Sequence, residues 1–294
     1  MDNLPLSPQA VILTGDGDRG ALDLLRSFAR ENIRSVVVST EPNDIASTYR
    51  YCEALVLVQS YEEAHDVHNL KILQALGERF VDKPILVYGE DINMLFISRN
   101  RDVLQKYFRF LMPPRALAET FVNKTEFQQL AESKGIPVPK TRVVHSYEEL
   151  VHASQSISYP AFVKPAFTMN WSFDTPELKE RYESYKFALR QFHSAEEMLS
   201  WCRELPLGNG GALVQEFIEG SDREVFSFHA YFDEHSQPVA YFVGRKIRTY
   251  PMHHGGSAFI ETVDEPAVVK IEIESLQKVN FSGIVKIDMK RNVR

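Results

Sequence analysis

Four short apolar runs in the first third of the chain constrain its fold more than any other feature. They are Ala10 to Thr14, Ser35 to Ser39, Ala54 to Val58 and Ile85 to Tyr88, and none alternates between polar and apolar positions. Helical stretches separate them. Ala21 to Glu31 places Leu22, Leu24, Leu25 and Phe28 on one side, and Asn69 to Phe80 is a second helix. A strand apolar on both sides must be covered on both faces, and a helix between strands makes the parallel crossover. Residues 1–115 are therefore expected to form a Rossmann-like α/β domain that closes near Pro113-Pro114.

The rest of the chain reads as α+β. In a second unit, 116–211, a helix over Thr125 to Lys134 ends at Gly135, with Pro137 and Pro139 beyond it. Thr141 to Val144, Pro160 to Pro165 and Lys186 to Gln191 are expected strands. Ser146-Tyr-Glu-Glu149 and Ser194-Ala-Glu-Glu197 are capping boxes, each opening a helix. A third unit, 212–294, starts with the strand Ala212 to Ile218. A hairpin follows, Val225 to Phe232 and Val239 to Val243, turning at Asp233-Glu-His-Ser236. A helix over Pro266 to Val279 and a strand over Gly283 to Met289 complete it. The polar turn just after that last strand, Lys-Arg-Asn-Val-Arg294, leads us to expect that the natural chain continues.

Composition removes several function classes. Forty acidic against 33 basic residues give a net charge of −7, which argues against a nucleic-acid binder. Two cysteines, Cys52 and Cys202, make neither a disulfide framework nor a thiolate zinc site. The start, Met-Asp-Asn-Leu-Pro-Leu, lacks the pattern of a signal peptide, and no apolar run approaches the roughly 20 residues that span a bilayer. A cytoplasmic protein without membrane partners is expected.

Several segments carry chemistry. Gly15-Asp-Gly17-Asp-Arg-Gly20 has G-x-G-x-x-G spacing, and Glu41 lies 21 residues past Gly20. A dinucleotide fingerprint looks like this, and it opens the alternative of an NAD(P)-dependent oxidoreductase. Asp16 and Asp18, however, put two negative charges where a pyrophosphate would sit, which favours a plain strand–helix turn. Tyr159-Pro-Ala-Phe-Val-Lys164-Pro165 sets a lysine in an apolar strand. A buried ammonium needs an anion, and phosphate is the natural one; the alternative is a packed stem with the amine reaching solvent. Asp288 lies inside the apolar strand Gly283 to Met289 and needs a cation. Magnesium is one resolution; Lys286 or Lys290 is the weaker one, because same-face strand neighbours stand apart. Arg248, in the basic run Gly244 to Pro251, is either a clamp for phosphate or carboxylate or part of a solvated edge strand. His253-His254 point apart and have no third metal ligand at suitable spacing.

Taken in order, Lys124, Gly135-Ile-Pro-Val-Pro139, Tyr159 to Pro165, Val214-Gln-Glu-Phe-Ile218, Glu224 and Gly283 to Asp288 resemble the ATP-grasp superfamily. Ser47-Thr-Tyr-Arg-Tyr51, Gly89-Glu-Asp91 and Arg245 to Pro251 look closest to its D-aspartate-ligase-like and carbamoyl phosphate synthetase-like carboxylate–amine ligases. The resemblance implies a Rossmann-like pre-ATP-grasp domain followed by a two-part ATP-grasp fold, with Mg-ATP between the two parts. It implies that Lys124 and Lys164 hold phosphates, that Gln215, Glu216 and Ile218 hold adenine, and that Glu224 holds ribose. It further implies that Asp288 binds Mg2+ and that Arg248 lies near the transferred phosphate. The implied activity is an ATP-dependent ligase that joins a small-molecule carboxylate to an amine, or to a thiol, through an acyl phosphate. A homodimer is compatible with it, and a nucleotide-binding module without chemistry is the remaining alternative. Two departures stand out. Ala166 to Tyr185, where the family carries a glycine-rich lid, holds no glycine but has Asn170, Trp171 and Lys179, and the family's second metal motif, Glu-x-Asn, does not occur before Arg294.

Overall fold

The computed structural model describes residues 9–15, 20–165, 191–203, 207, 211–250 and 256–293. They fall in two compact units, 1–119 and 120–294.

In the first unit the strands β1 (Ala10–Leu13), β2 (Ser35–Ser39), β3 (Cys52–Leu57) and β4 (Ile85–Tyr88) form a parallel sheet in the order β3-β2-β1-β4. The helices α1 (Gly20–Arg30), α2 (Asp66–Gly77), α3 (Asp91–Arg99) and α4 (Arg101–Leu104) supply the crossovers and cover. Val11, Ile12, Leu13 and Val36 to Val38 are fully buried, as strands without alternation require. β3 begins two residues earlier than expected. α2 starts at Asp66 rather than Asn69, where Arg99 clamps the Asp66 carboxylate with bonds of 2.7 and 2.9 Å. The helix α5 (Arg115–Val122) runs across the division between the units.

The second unit holds two sheets. Asn123 caps α6 (Lys124–Lys134) by accepting from the amides of Thr125 and Glu126, and Gly135 ends it in the left-handed conformation, φ 60°. The strands β5 (Thr141–Val144), β6 (Ala161–Pro165) and β7 (Ala212–Glu216) form an antiparallel sheet in the order β5-β7-β6. β7 is therefore the centre of this three-stranded sheet, so the strand expected to open the 212–294 unit pairs instead with strands of the expected 116–211 unit. The helices α7 (Tyr147–Ser156) and α8 (Ala195–Cys202) cover one face through Leu150, Ala153, Met198 and Cys202. Both capping boxes form, with one difference. Glu149 and Glu197 accept from the amides of His145 and His193, one residue further back than the cap itself. Of the strand expected over 186–191, residues 186–190 lie outside the described residues; Phe192 bridges to Ala161.

The second sheet contains β8 (Val225–Phe232), β9 (Pro238–Tyr250), β10 (Gly256–Val263) and β11 (Gly283–Lys290) in the antiparallel order β10-β9-β8-β11. The hairpin turns as expected, with the Asp233 carboxylate accepting from the amides of His235 and Gln237. β10 was not expected, and its presence corrects the basic-edge reading of 244–251: β9 is paired on both sides. The helix α9 (Pro266–Gln277) packs on one face over Phe226, Phe228, Phe232 and Val285. Strand alternation then sends Ser227, His229, Lys246 and Asp288 to the opposite face. Among the described residues no helix is long and apolar enough to cross a membrane.

Candidate nucleotide site

The open face of the three-stranded sheet carries Thr141, Gln215, Phe162 and Lys164, which lie opposite one another or two residues apart in the β5-β7-β6 register. The Lys164 ammonium donates to Gln215 Oε1 at 3.0 Å. The amide nitrogen of Gln215 donates to Thr141 Oγ1 at 2.8 Å, and that hydroxyl donates to the Pro139 carbonyl at 2.9 Å. This chain fixes the Gln215 amide with its oxygen toward Lys164. Burial, with a smaller push from the positive charge of Lys124, the first residue of α6, lowers the Lys164 pKa to about 8. Lys124 thus lies within electrostatic range of Lys164.

Glu216 closes β7 by accepting from the Lys140 amide through its side chain at 2.7 Å. Ile218 lies just beyond the strand, and among the described residues its peptide group enters no backbone hydrogen bond. Phe217, between them, meets Phe162 edge-on at 6.5 Å and lies under the Lys290 ammonium at 4.5 Å. Through these rings the open face of the three-stranded sheet meets β11. Glu224 sits before β8, and Arg291 donates to its carboxylate at 2.7 Å. Gly220, at φ 129°, lets the chain pass close to Glu224; a Cβ there would lie 3.0 Å from Glu224 Cγ.

Asp288 has a different partner from those expected. Lys246, on β9, places its ammonium 2.6 Å from Asp288 Oδ2 with a side chain 6% exposed. Ser227 donates to Oδ1 at 2.8 Å, and Lys286 stands 3.8 Å from the same oxygen, so the same-strand lysine does reach. Burial works to raise the Asp288 pKa, but the Lys246 bond, aided by Lys286 and Ser227, holds it below the usual carboxylate value. The Ser227 hydroxyl is spent on Asp288, so it accepts from Nε2–H of His229 at 3.1 Å. Arg248 is exposed on β9 opposite Phe259, and the groups against Asp288 are Lys246, Ser227 and Lys286. Lys246, Ser227 and Thr141 were not singled out from sequence. The first two betray themselves only through pairing across three strands, and period-two alternation along β8 and β9 was the one local signal. The lid segment 166–185 and His253-His254 lie outside the described residues.

Asp288 gives the chemistry a magnesium ion uses, an oxygen donor of full charge. Among the described residues no cluster of three or more His, Cys, Asp or Glu gathers for a metal, so a protein-only cage is not present there. Magnesium is commonly held by one or two carboxylates plus phosphate oxygens, and the site fits that mode.

No family model matches the chain. The D-aspartate ligase of Enterococcus faecium (strain Aus0004) is 27% identical over 233 residues, which cover 76% of this chain and 54% of that enzyme. The chain thus spans about half the length of that relative. The crystal structure of L-amino acid ligase from Bacillus licheniformis aligns over 98% of this chain and 64% of its own, at 13% identity and a TM-score of 0.66. The ADP complex of N5-carboxyaminoimidazole ribonucleotide synthetase aligns over 99% and 68%, at 14% identity and a TM-score of 0.68. The chain has the ATP-grasp fold. In chain order the parallel sheet comes first, and the three-stranded sheet with Lys164 and the four-stranded sheet with Asp288 follow it. The dinucleotide alternative is not favoured. Residues 16–19 of its fingerprint lie outside the described residues, and at Gly15 an added Cβ would run into the Glu90 carboxylate, a negative charge where a pyrophosphate would approach.

Proposed function

We propose that the chain is the nucleotide-binding part of an ATP-dependent ligase that joins a small-molecule carboxylate to an amine. The observation that carries this reading is the buried Lys164 ammonium on the open sheet face, held by Gln215 and within electrostatic range of Lys124. A desolvated ammonium near a second positive charge is costly and suited to a polyanion.

The substrate carboxylate attacks the γ-phosphorus of ATP, the bond to the β–γ bridging oxygen breaks, and ADP leaves. The acyl phosphate then takes up an amine, phosphate departs, and an amide forms; a thiol in place of the amine gives a thioester. A carboxylate is a poor electrophile, and phosphorylation supplies both an activated carbonyl and a leaving group. Lys124 and Lys164 hold the phosphates and offset charge on the transferring group. The Ile218 amide and the Glu216 carbonyl read the adenine edge beyond β7, beside the Gln215 amide. Glu224 takes the ribose hydroxyls, for which it releases Arg291. Asp288 would hold a magnesium ion, which would draw negative charge off the phosphates. Arg248, exposed beside Lys246 on β9, faces the transferred phosphate. A cytoplasmic location and a homodimer are compatible with this reading.

The test is thermal unfolding with Mg-ATP and with NAD. A ligand that binds the native state alone raises the melting temperature. Stabilisation by Mg-ATP and none by NAD is expected; the reverse would give the chain to the oxidoreductases.

A further inference from the structure

Both oxygens of Asp288 are already engaged by protein donors: Oδ2 by the Lys246 ammonium at 2.6 Å, Oδ1 by Ser227 at 2.8 Å with Lys286 at 3.8 Å. The Lys246 contact is not a chance surface pair. β9 and β11 are separated by β8, so the two backbones lie about 9–10 Å apart at two interstrand spacings. The lysine stem has to lie across β8 to arrive, and it does so with its side chain 6% exposed. Ser227, the β8 residue opposite Asp288, is itself fully buried and offers only a small side chain beneath the stem.

A divalent ion and an ammonium compete for the same carboxylate oxygen, because like charges a few ångströms apart repel. We propose that Lys246 is a positioning residue that stands in for the metal: its ammonium keeps Asp288 occupied until nucleotide arrives, and it then yields the carboxylate to the magnesium that accompanies the phosphates. This rests on the reading of Asp288 as a metal ligand. Free divalent ion is thereby kept off the site, and metal binding becomes coupled to nucleotide binding.

The experiment measures Mn2+ binding to the full chain by electron paramagnetic resonance, without nucleotide. Lys246→Met removes the charge and keeps the stem; Lys246→Gln does so with a polar end, and serves if the first folds poorly by circular dichroism. Either is expected to bind Mn2+ at least tenfold more tightly than the parent chain, while Lys246→Arg keeps the parent's weak binding. Adding Asp288→Asn to Lys246→Met is expected to abolish the gain. If both neutral variants bind Mn2+ no better than the parent, while Asp288→Asn removes the binding that the parent has, Asp288 remains a ligand and the stand-in role of Lys246 is overturned. If Asp288→Asn leaves Mn2+ binding untouched in both backgrounds, the metal reading of Asp288 itself is lost, and the proposal with it.

Discussion

At the residue scale, the proposed chemistry rests on side chains that their neighbours hold in place. Thr141 is the clearest case. Its hydroxyl is the far end of the chain that points the Gln215 oxygen at Lys164, and it is 5% exposed. Thr141→Val leaves the amide nitrogen of Gln215 without its acceptor, a loss of about 1 kcal/mol, so ATP affinity should fall roughly fivefold by calorimetry. Thr141→Ser should retain it. Lys164 also sets a pH dependence. With its pKa lowered to about 8, it loses its charge as pH rises through that value, and a neutral amine attracts phosphate less. ATP affinity is expected to decline from pH 8 to pH 9.5 in the parent chain and to stay level in Lys164→Arg. A second buried titrating group tests stability instead. Glu272, on α9, is 3% exposed, and burial, with a smaller push from Asp288, raises its pKa from 4.5 to about 7. Between those values the folded chain keeps a proton that the unfolded chain has lost, so this residue makes stability fall as pH rises from 4.5 to 7, with no further change above. Glu272→Gln should be more stable at pH 8 by about 1–3 kcal/mol in urea unfolding, and show no advantage at pH 4.

At the scale of elements, what the sequence discloses depends on whether the signal is local. β2, β4 and β5 occupy the residues their apolar patterns mark, and α6 stops where Gly135 permits a left-handed turn. Nothing lies within 4 Å of a Cβ placed on Gly135, so Gly135→Ala meets only backbone strain. It should cost about 1 kcal/mol of stability, read by chemical denaturation, and leave ATP affinity unchanged. β10 was illegible because Gly256–Val263 begins in glycine and serine and has an irregular register against β9. The membership of β7 was illegible too. Its apolar run marks a strand, but its two partners come from residues far earlier in the chain, and only pairing decides which sheet it joins. The same reason hid Lys246. The sequence marked Asp288 as an acid in need of a cation, while the cation that meets it lies 42 residues away and reaches across an intervening strand.

At the scale of the whole chain, an open question of charge separates the two nucleotide readings. The glycine spacing near the N-terminus promises a pyrophosphate site, yet Glu90 crowds Gly15 there. The second unit instead gathers positive charge at Lys124 and Lys164, and the whole chain aligns with ligase structures over nearly its full length. The central claim, that Lys164 exists to meet the phosphates of ATP, is tested most directly by calorimetric titration of Mg-ATP into the parent chain and into Lys164→Ala. Loss of one charge-assisted contact of about 2 kcal/mol predicts affinity weakened by well over tenfold, with the melting temperature of the ligand-free chain no lower than the parent's. Equal affinity in the two proteins would contradict it.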